Sequence, residues 1–225
     1  MTALVPNPGL VRQIRLAGLF YLVIIIAGLG AELGLRGPLI DLGDAEATAS
    51  AILDAPGRFR LAIAADLVMA LCDAGLAILL YLIFRSVAPV LPLSAMVFRL
   101  IQTVLIAANL MAMQAAWLLI SGGDGLADAN ALALVFLDLH GHGYDLGLVF
   151  FGINSLIMGV LVWRSGLFAR DFGVGLAIAG SVYLVGSGLR FFAPELSSAF
   201  APAYGMTIIA ETAFCLRLLF QRAAA

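Results

Sequence analysis

Long apolar runs broken by single polar residues dominate this chain, in windows near 14–35, 61–84, 93–120, 142–164, 172–192 and 200–221. A helix rises about 1.5 Å per residue, so roughly 20 apolar residues cross about 30 Å of hydrocarbon. Each window therefore predicts a transmembrane helix, because a segment in lipid must satisfy its backbone polar groups internally. The windows are too long and too continuously apolar for the roughly ten-residue alternating strands of a membrane barrel. The expected fold is all-α, a single domain over residues 1–225 built as an integral membrane bundle of six transmembrane helices.

The connections are uneven. On the side carrying the termini they are short, around 85–92 and 165–171, which leaves no room for a soluble catalytic or nucleotide-binding domain. On the other side, Asp44 is placed to cap a short helix through Leu53, ended by Pro56 and Gly57. Asp128 is similarly placed before a stretch to Leu139. Short outer-surface helices are thus expected in the first and third connections, with one long bent helix through Gly141 and Gly143 as the alternative for the second of them. Arg12 and Arg15 before the first apolar run resemble a signal peptide, but the run is long and no A-x-A site closes it, so an uncleaved helix is expected.

Composition agrees: 63% hydrophobic and 12% charged residues, with a mean hydropathy of +1.09, require lipid as solvent. The partner is the bilayer, and no nucleic-acid partner is expected. All twelve basic residues are arginines. Seven (Arg12, Arg15, Arg85, Arg164, Arg170, Arg217, Arg222) fall on the terminal side and four (Arg36, Arg58, Arg60, Arg190) on the other, with Arg99 inside the third span. This bias places both termini in the cytoplasm. Eight acids, Glu32, Asp41, Asp44, Glu46, Asp54, Asp124, Asp128 and Glu195, then sit in or beside outer loops.

Depth counting brings out candidate chemistry. With span centres near residues 72, 107, 153 and 211, Asp73, Asn109, Asn154 and Glu211 share one level. About 10 Å outward lies a second layer of Glu32, Asp66, Gln114, Tyr144, Asp145, Arg190 and Tyr204, with Asp138, His140 and His142 just above. Asp66 and Asp73 are seven apart, on one helix face. Charged groups at this depth are costly, which favours a bundle interior or a cavity over lipid. Glu32, Asp66, Asp73, Asp138, Asp145 and Glu211 face only Arg190 and two histidines as local cations, so a bound cation or retained protons must balance them. Asp73 and Glu211 are the candidate catalytic acids. Glu32, Asp66, Asn109, Gln114, Tyr144, Asn154, Arg190 and Tyr204 are the candidate ligand-binding residues. The plainer alternative is interhelical hydrogen bonding.

The densest segment is DLHGHGYD, residues 138–145. Imidazole and carboxylate suit a divalent metal such as zinc, with Asp138, His140, His142 and Asp145 as candidate ligands. Two histidines at i and i+2 diverge on a regular helix, so convergence requires the glycines to turn the backbone. The spacing matches no standard zinc motif, and a hydrogen-bonded helix start is the plainer reading. Arg99 and Arg217 either snorkel to headgroups or pair with a midplane acid such as Glu211. Cys72 and Cys215 read as packing thiols, and Tyr21, Trp117 and Trp163 as packing residues or interface anchors. Gly30 and Gly34 form a small-xxx-small pair suited to close helix approach.

The stretches RLAGLFYLVIIIAGLGAE, AADLVMALCDAGLAILLYLIFR, FRLIQT, LDLHGHGYDLGLVFFG and VLVWRSGLFAR resemble a bacterial multi-pass membrane family known only as domain of unknown function forty-three eighty-six. The resemblance covers nearly the whole chain and implies a membrane bundle of the bacterial cytoplasmic (inner) membrane, with no activity attached. It points to Asp66, Gln102, His140 and Glu211 as pattern positions. Gly186 stands where relatives often carry an acid, which leaves Arg190 as the expected contributor of the fifth span.

Three function classes remain open. The first is a binding protein whose polar pocket opens outward and holds a cation, lipid headgroup or small amphiphile. The second is an intramembrane enzyme on a lipid or isoprenoid, by metal-assisted hydrolysis or acid-initiated chemistry. The third is a proton- or cation-coupled transporter, against which no inverted halves are evident. Substrate, oligomeric state and physiological partner leave no mark in the sequence.

Overall fold

The computed structural model describes residues 7–122 and 126–222, and every regular element among them is helical. Asp124, counted above among the outer acids, lies outside the described residues. Six helices are long and apolar enough to cross a membrane: Pro8–Leu39, Pro56–Phe84, Leu91–Gly122, Ala129–Ser165, Arg170–Phe192 and Pro194–Leu219. The chain is a multi-pass membrane protein.

Local chemistry sets the helix starts. Helix α1 (Pro8–Leu29) is capped by Asn7, whose side chain accepts the Leu10 N–H at 2.8 Å, with proline in the first turn. It continues as a π-helical segment, Gly30–Arg36, and a 3-10 turn, Gly37–Leu39. Helix α2 (Ala45–Asp54) is the short outer helix of the first connection, and Asp44 caps it by accepting the Ala47 N–H at 2.9 Å. Pro56 does more than end it. Proline lacks the N–H that a first helical residue leaves unpaired, so Pro56 opens α3 (Pro56–Phe84) well ahead of the expected window. Helix α4 spans Leu91–Gly122, α5 Ala129–Ser165 and α6 Arg170–Phe192. A short α7 (Ser197–Phe200) and a 3-10 turn then lead into α8 (Tyr204–Leu219).

The third connection differs from the expected separate outer helix. Residues 129–139 are the first turns of α5, which runs unbroken for 37 residues, about 55 Å. Asp128 precedes it in a left-handed conformation (φ 60°) and makes no side-chain cap bond. Burial holds the extension in place: Ala133 and Leu137 pack with Ile52 of α2, Phe59 of α3 and Met113 of α4. Asn130 also donates to Glu46 Oε2 at 2.9 Å. Gly141 and Gly143 do not interrupt the helix. They make room, since a Cβ at Gly141 would meet the Arg190 guanidinium at 2.7 Å and one at Gly143 would collide with the Asn109 amide.

The expected close approach at Gly30 and Gly34 is not made among the described residues, where no neighbouring atom lies within 4 Å of an added Cβ at either position. Close packing uses other glycines. Gly152 and Gly159 on α5 face Gly180 and Gly173 on α6; a Cβ at Gly159 would meet the Gly173 carbonyl oxygen at 2.6 Å, and one at Gly152 the Gly180 oxygen at 2.9 Å. Backbone cannot yield as a side chain tip can, so Gly159→Leu is expected to cost about 1–3 kcal/mol, as overpacked cores do. Thermal unfolding in detergent checks this, and an unchanged midpoint contradicts the backbone contact.

The terminal half of the bundle is filled by a cluster that includes Ile14, Tyr21, Leu76, Phe84, Leu161, Phe168, Phe214 and Leu218. Gly18 on α1 lets the α8 backbone in beside it at Leu218 and Leu219. A second cluster, around Ile52, Phe59 and Met113, fills the opposite end on the α2 side.

Candidate functional site

Two buried ion pairs organise the polar interior. Arg36, counted as an outer-loop residue, is only 4% exposed. The π-helical segment changes the phase of the helix, so Ala31 and Arg36 turn inward while Glu32, Leu33 and Gly34 stay exposed. The Arg36 guanidinium pairs with Glu32 Oε2 (Nη2 at 2.7 Å) and with Asp66 Oδ2 on α3, and it lies 5.9 Å from the Tyr144 ring centre. Arg99 does not snorkel; it pairs with a midplane acid, the alternative expectation, but with Asp73 rather than Glu211. It is buried, and its Nε donates to Asp73 Oδ1 at 2.7 Å while Thr103 Oγ1 donates to Asp73 Oδ2 at 2.8 Å. Tyr21 and Phe151 flank it, with ring centres 5.4 and 5.0 Å from the guanidinium carbon. Arg217 lies over the Phe168 ring at 5.5 Å.

A third arginine organises the outer rim. Arg190 on α6 reaches Asp138 at 3.2 Å and Asp145 at 3.1 Å, both on α5. With Arg36, Arg99 and Arg190 counted, the six acids face three guanidiniums, which corrects the charge balance read from sequence.

Glu211 on α8 stands apart. It is 8% exposed, accepts the Tyr183 hydroxyl at 2.7 Å, and has no arginine nitrogen within 4.0 Å among the described residues. Tyr183 comes from α6, so the fifth span contributes more than Arg190. Gly186, one helical turn on, has no side chain because the Tyr204 hydroxyl occupies the space a Cβ would take.

These groups share one cavity of about 690 Å³. Its inner end is lined by Asp73, Arg99, Thr103, Tyr183 and Glu211, its walls by Ile25, Leu29, Ile106, Leu148 and Ile208, and its rim by Glu32, Arg36, Asp145, Arg190 and Tyr204. Below Arg99 the apolar cluster of the terminal half fills the bundle, so the cavity has a floor.

A family model described as Domain of unknown function (DUF4386) matches residues 16–221. The chain belongs to this family. An uncharacterized protein of Archaeoglobus fulgidus is 35% identical over 78 residues, which is 34% of this chain and 44% of that protein, so the chain spans less than half of that relative. No solved structure matches the chain.

In this DUF4386 protein, Asp66, Gln102, His140 and Glu211 are all buried. Gln102, His140 and Glu211 line the cavity, and Asp66 meets it through Arg36. Among the other candidate ligand-binding residues, Glu32, Tyr144, Arg190 and Tyr204 line it as well. Three do not. Gln114 is exposed on α4, Asn154 donates to the Ala95 carbonyl at 2.7 Å and ties α5 to α4, and Asn109 is taken up with His140. The Asn109 amide nitrogen donates to the His140 carbonyl at 2.6 Å and lies 3.1 Å from His140 Nδ1.

On the unbroken α5 of the DUF4386 chain, His140 parts from the other three candidate metal ligands, Asp138, His142 and Asp145. His140 faces α4, whereas His142 lies 3.5 Å from Asp138 and packs on Phe191 with ring centres 6.0 Å apart. Arg190 sits between Asp138 and Asp145. Among the described residues no three histidine, cysteine, aspartate or glutamate side chains gather as a metal site.

Proposed function

We propose that this DUF4386 protein binds a small amphiphile in the interior cavity. The observation carrying this reading is the cavity's composition: an ionic floor and rim joined by aliphatic walls, inside helices that themselves face lipid. Its volume falls in the range of sites that enclose small organic ligands, about 300–1,000 Å³. Five buried polar atoms on lining residues, Arg99 Nη2, Gln102 Oε1, His140 Nε2, Arg190 Nε and Ser197 Oγ, make no hydrogen bond among the described residues, and of these the two arginine nitrogens lie in ion pairs. Buried polar groups generally find a partner, and a bound molecule or water supplies one. The floor favours holding a ligand over conducting one.

The cavity opens on the face away from the termini. Seven arginines fall on the terminal side against Arg36, Arg58, Arg60 and Arg190 on the other, and Arg36 is buried against Asp66. This supports cytoplasmic termini and a pocket reached from the outer face.

Mass spectrometry of protein extracted with its native lipid tests the reading. A stoichiometric amphiphile is expected in the wild type and absent from Ala70→Phe, which fills the cavity from a buried lining position. A folded wild type carrying no such molecule, or equal retention by a folded variant, contradicts it.

A further inference from the structure

The charges in the cavity point to one kind of occupant. Asp73 is fully engaged, with Arg99 on one oxygen and Thr103 on the other. Arg99 is the floor's one guanidinium among the described residues, and it is committed to that pair. Glu211 receives a phenolic hydrogen bond and has no arginine nitrogen within 4.0 Å among the described residues, so the floor carries two carboxylates against the one guanidinium of Arg99. At the rim the situation is similar. Arg36 faces Glu32 and Asp66, and Arg190 faces Asp138 and Asp145, so each guanidinium is already shared by two carboxylates. An anionic headgroup would meet arginines with no free charge and acids beside them.

Aromatic rings complete the setting. Tyr183, Tyr204 and Phe200 all line the cavity; the Tyr183 and Tyr204 ring centres are 6.0 Å apart at 57°, and Phe200 meets Tyr204 edge-on at 6.3 Å. Phe151 is already occupied, since Arg99 lies over it. Ring faces attract cations, more strongly when water is excluded. Gln102 Oε1 adds a buried acceptor without a donor among the described residues.

We infer that the amphiphile is a monocation, with an amine or quaternary ammonium head seated at Glu211 beside Tyr183 and Tyr204 and its chain along Ile25, Leu29, Leu148 and Ile208. This rests on the amphiphile reading and adds the charge of the head. Glu211 neutralises it, the tyrosines supply ring faces, and the aliphatic walls take the chain.

Equilibrium binding of three radiolabelled probes of equal chain length, dodecyltrimethylammonium, dodecanol and dodecanoate, to the protein in phosphatidylcholine nanodiscs tests this against empty discs. The ammonium is expected to bind at least about tenfold more tightly than the alcohol, with the carboxylate weakest, a difference set by one buried charge contact. Glu211→Gln keeps the shape of the side chain and is expected to bring the ammonium down to the level of the alcohol. Equal binding of the three probes to wild type, or an ammonium preference surviving in folded Glu211→Gln, overturns the inference while leaving the amphiphile site standing. Absence of binding by any probe above empty discs, or binding unaffected by Ala70→Phe, overturns both. If Glu211→Gln does not fold, the wild-type ranking alone decides.

Discussion

Replacing Arg99 by methionine is expected to destabilise the protein by about 3–5 kcal/mol, the cost of leaving one partner of a buried ion pair alone. Asp73 and Arg99 are each 2% exposed, so solvent has little access to stand in for the lost partner. Thr103 would be the one remaining hydrogen-bond donor to Asp73 among the described residues. The side chain of Arg99 also packs between Tyr21 and Phe151, so a methionine of similar length keeps most of the volume and isolates the charge. Removing both charges in Arg99→Met/Asp73→Leu is expected to recover most of the loss, because an apolar pair of similar size replaces a buried ion pair at little cost. Thermal or denaturant unfolding in one fixed detergent measures both variants. A single variant as stable as wild type contradicts the buried pair, and a double variant worse than the single contradicts its electrostatic origin.

Arg36→Met is expected to be of similar size, about 3–5 kcal/mol, although in sequence this arginine looks like an ordinary loop charge. Asp66 is completely buried on α3, and Arg36 is its cation. The reverse change is expected to be milder. In Asp66→Asn the guanidinium keeps Glu32, itself well exposed, so the loss is expected near that of one hydrogen bond to a charged group, about 1.5–3 kcal/mol. The ordering of the two variants in the same unfolding assay is the diagnostic. A loss under about 0.5 kcal/mol for Arg36→Met, the ordinary range for surface substitutions, contradicts its inward position.

The parts of this architecture set by local chemistry were legible in the chain. The six spans follow from apolar length, and the first outer helix from Asp44 followed by a short helical stretch. Features decided by distant partners were not. Gly141 and Gly143 read locally as helix breakers, yet they clear space for Arg190 and Asn109 on other helices. Arg36 was misplaced because a π-helical segment shifts the phase of the helix, and ordinary periodicity then points the wrong residues inward. That Arg99 can pair with a midplane acid is legible from its depth, but which acid is not, because Asp73 lies 26 residues earlier on α3. Tyr183, in an apolar span, gave no local sign of its bond to Glu211. The Gly152/Gly159 and Gly173/Gly180 pairs do leave a signal, seven-residue spacing on two consecutive spans, and it marks the close approach better than the Gly30 and Gly34 pair does.

Side-specific thiol labelling tests most directly whether these helices enclose a hydrated hollow closed toward the termini. In a background lacking Cys72 and Cys215, single cysteines at Leu148 and Thr207 probe the cavity wall, one at Val104 the lipid-facing surface and one at Leu80 the packed terminal half. Thiols react as thiolates, which form readily only where water reaches them. A small membrane-impermeant reagent is expected to label the cysteines at 148 and 207 from the face opposite the termini, and to leave those at 104 and 80 unmodified from either side. Labelling at 148 and 207 from the terminal face, or none from the opposite face, contradicts the enclosed outward-opening cavity.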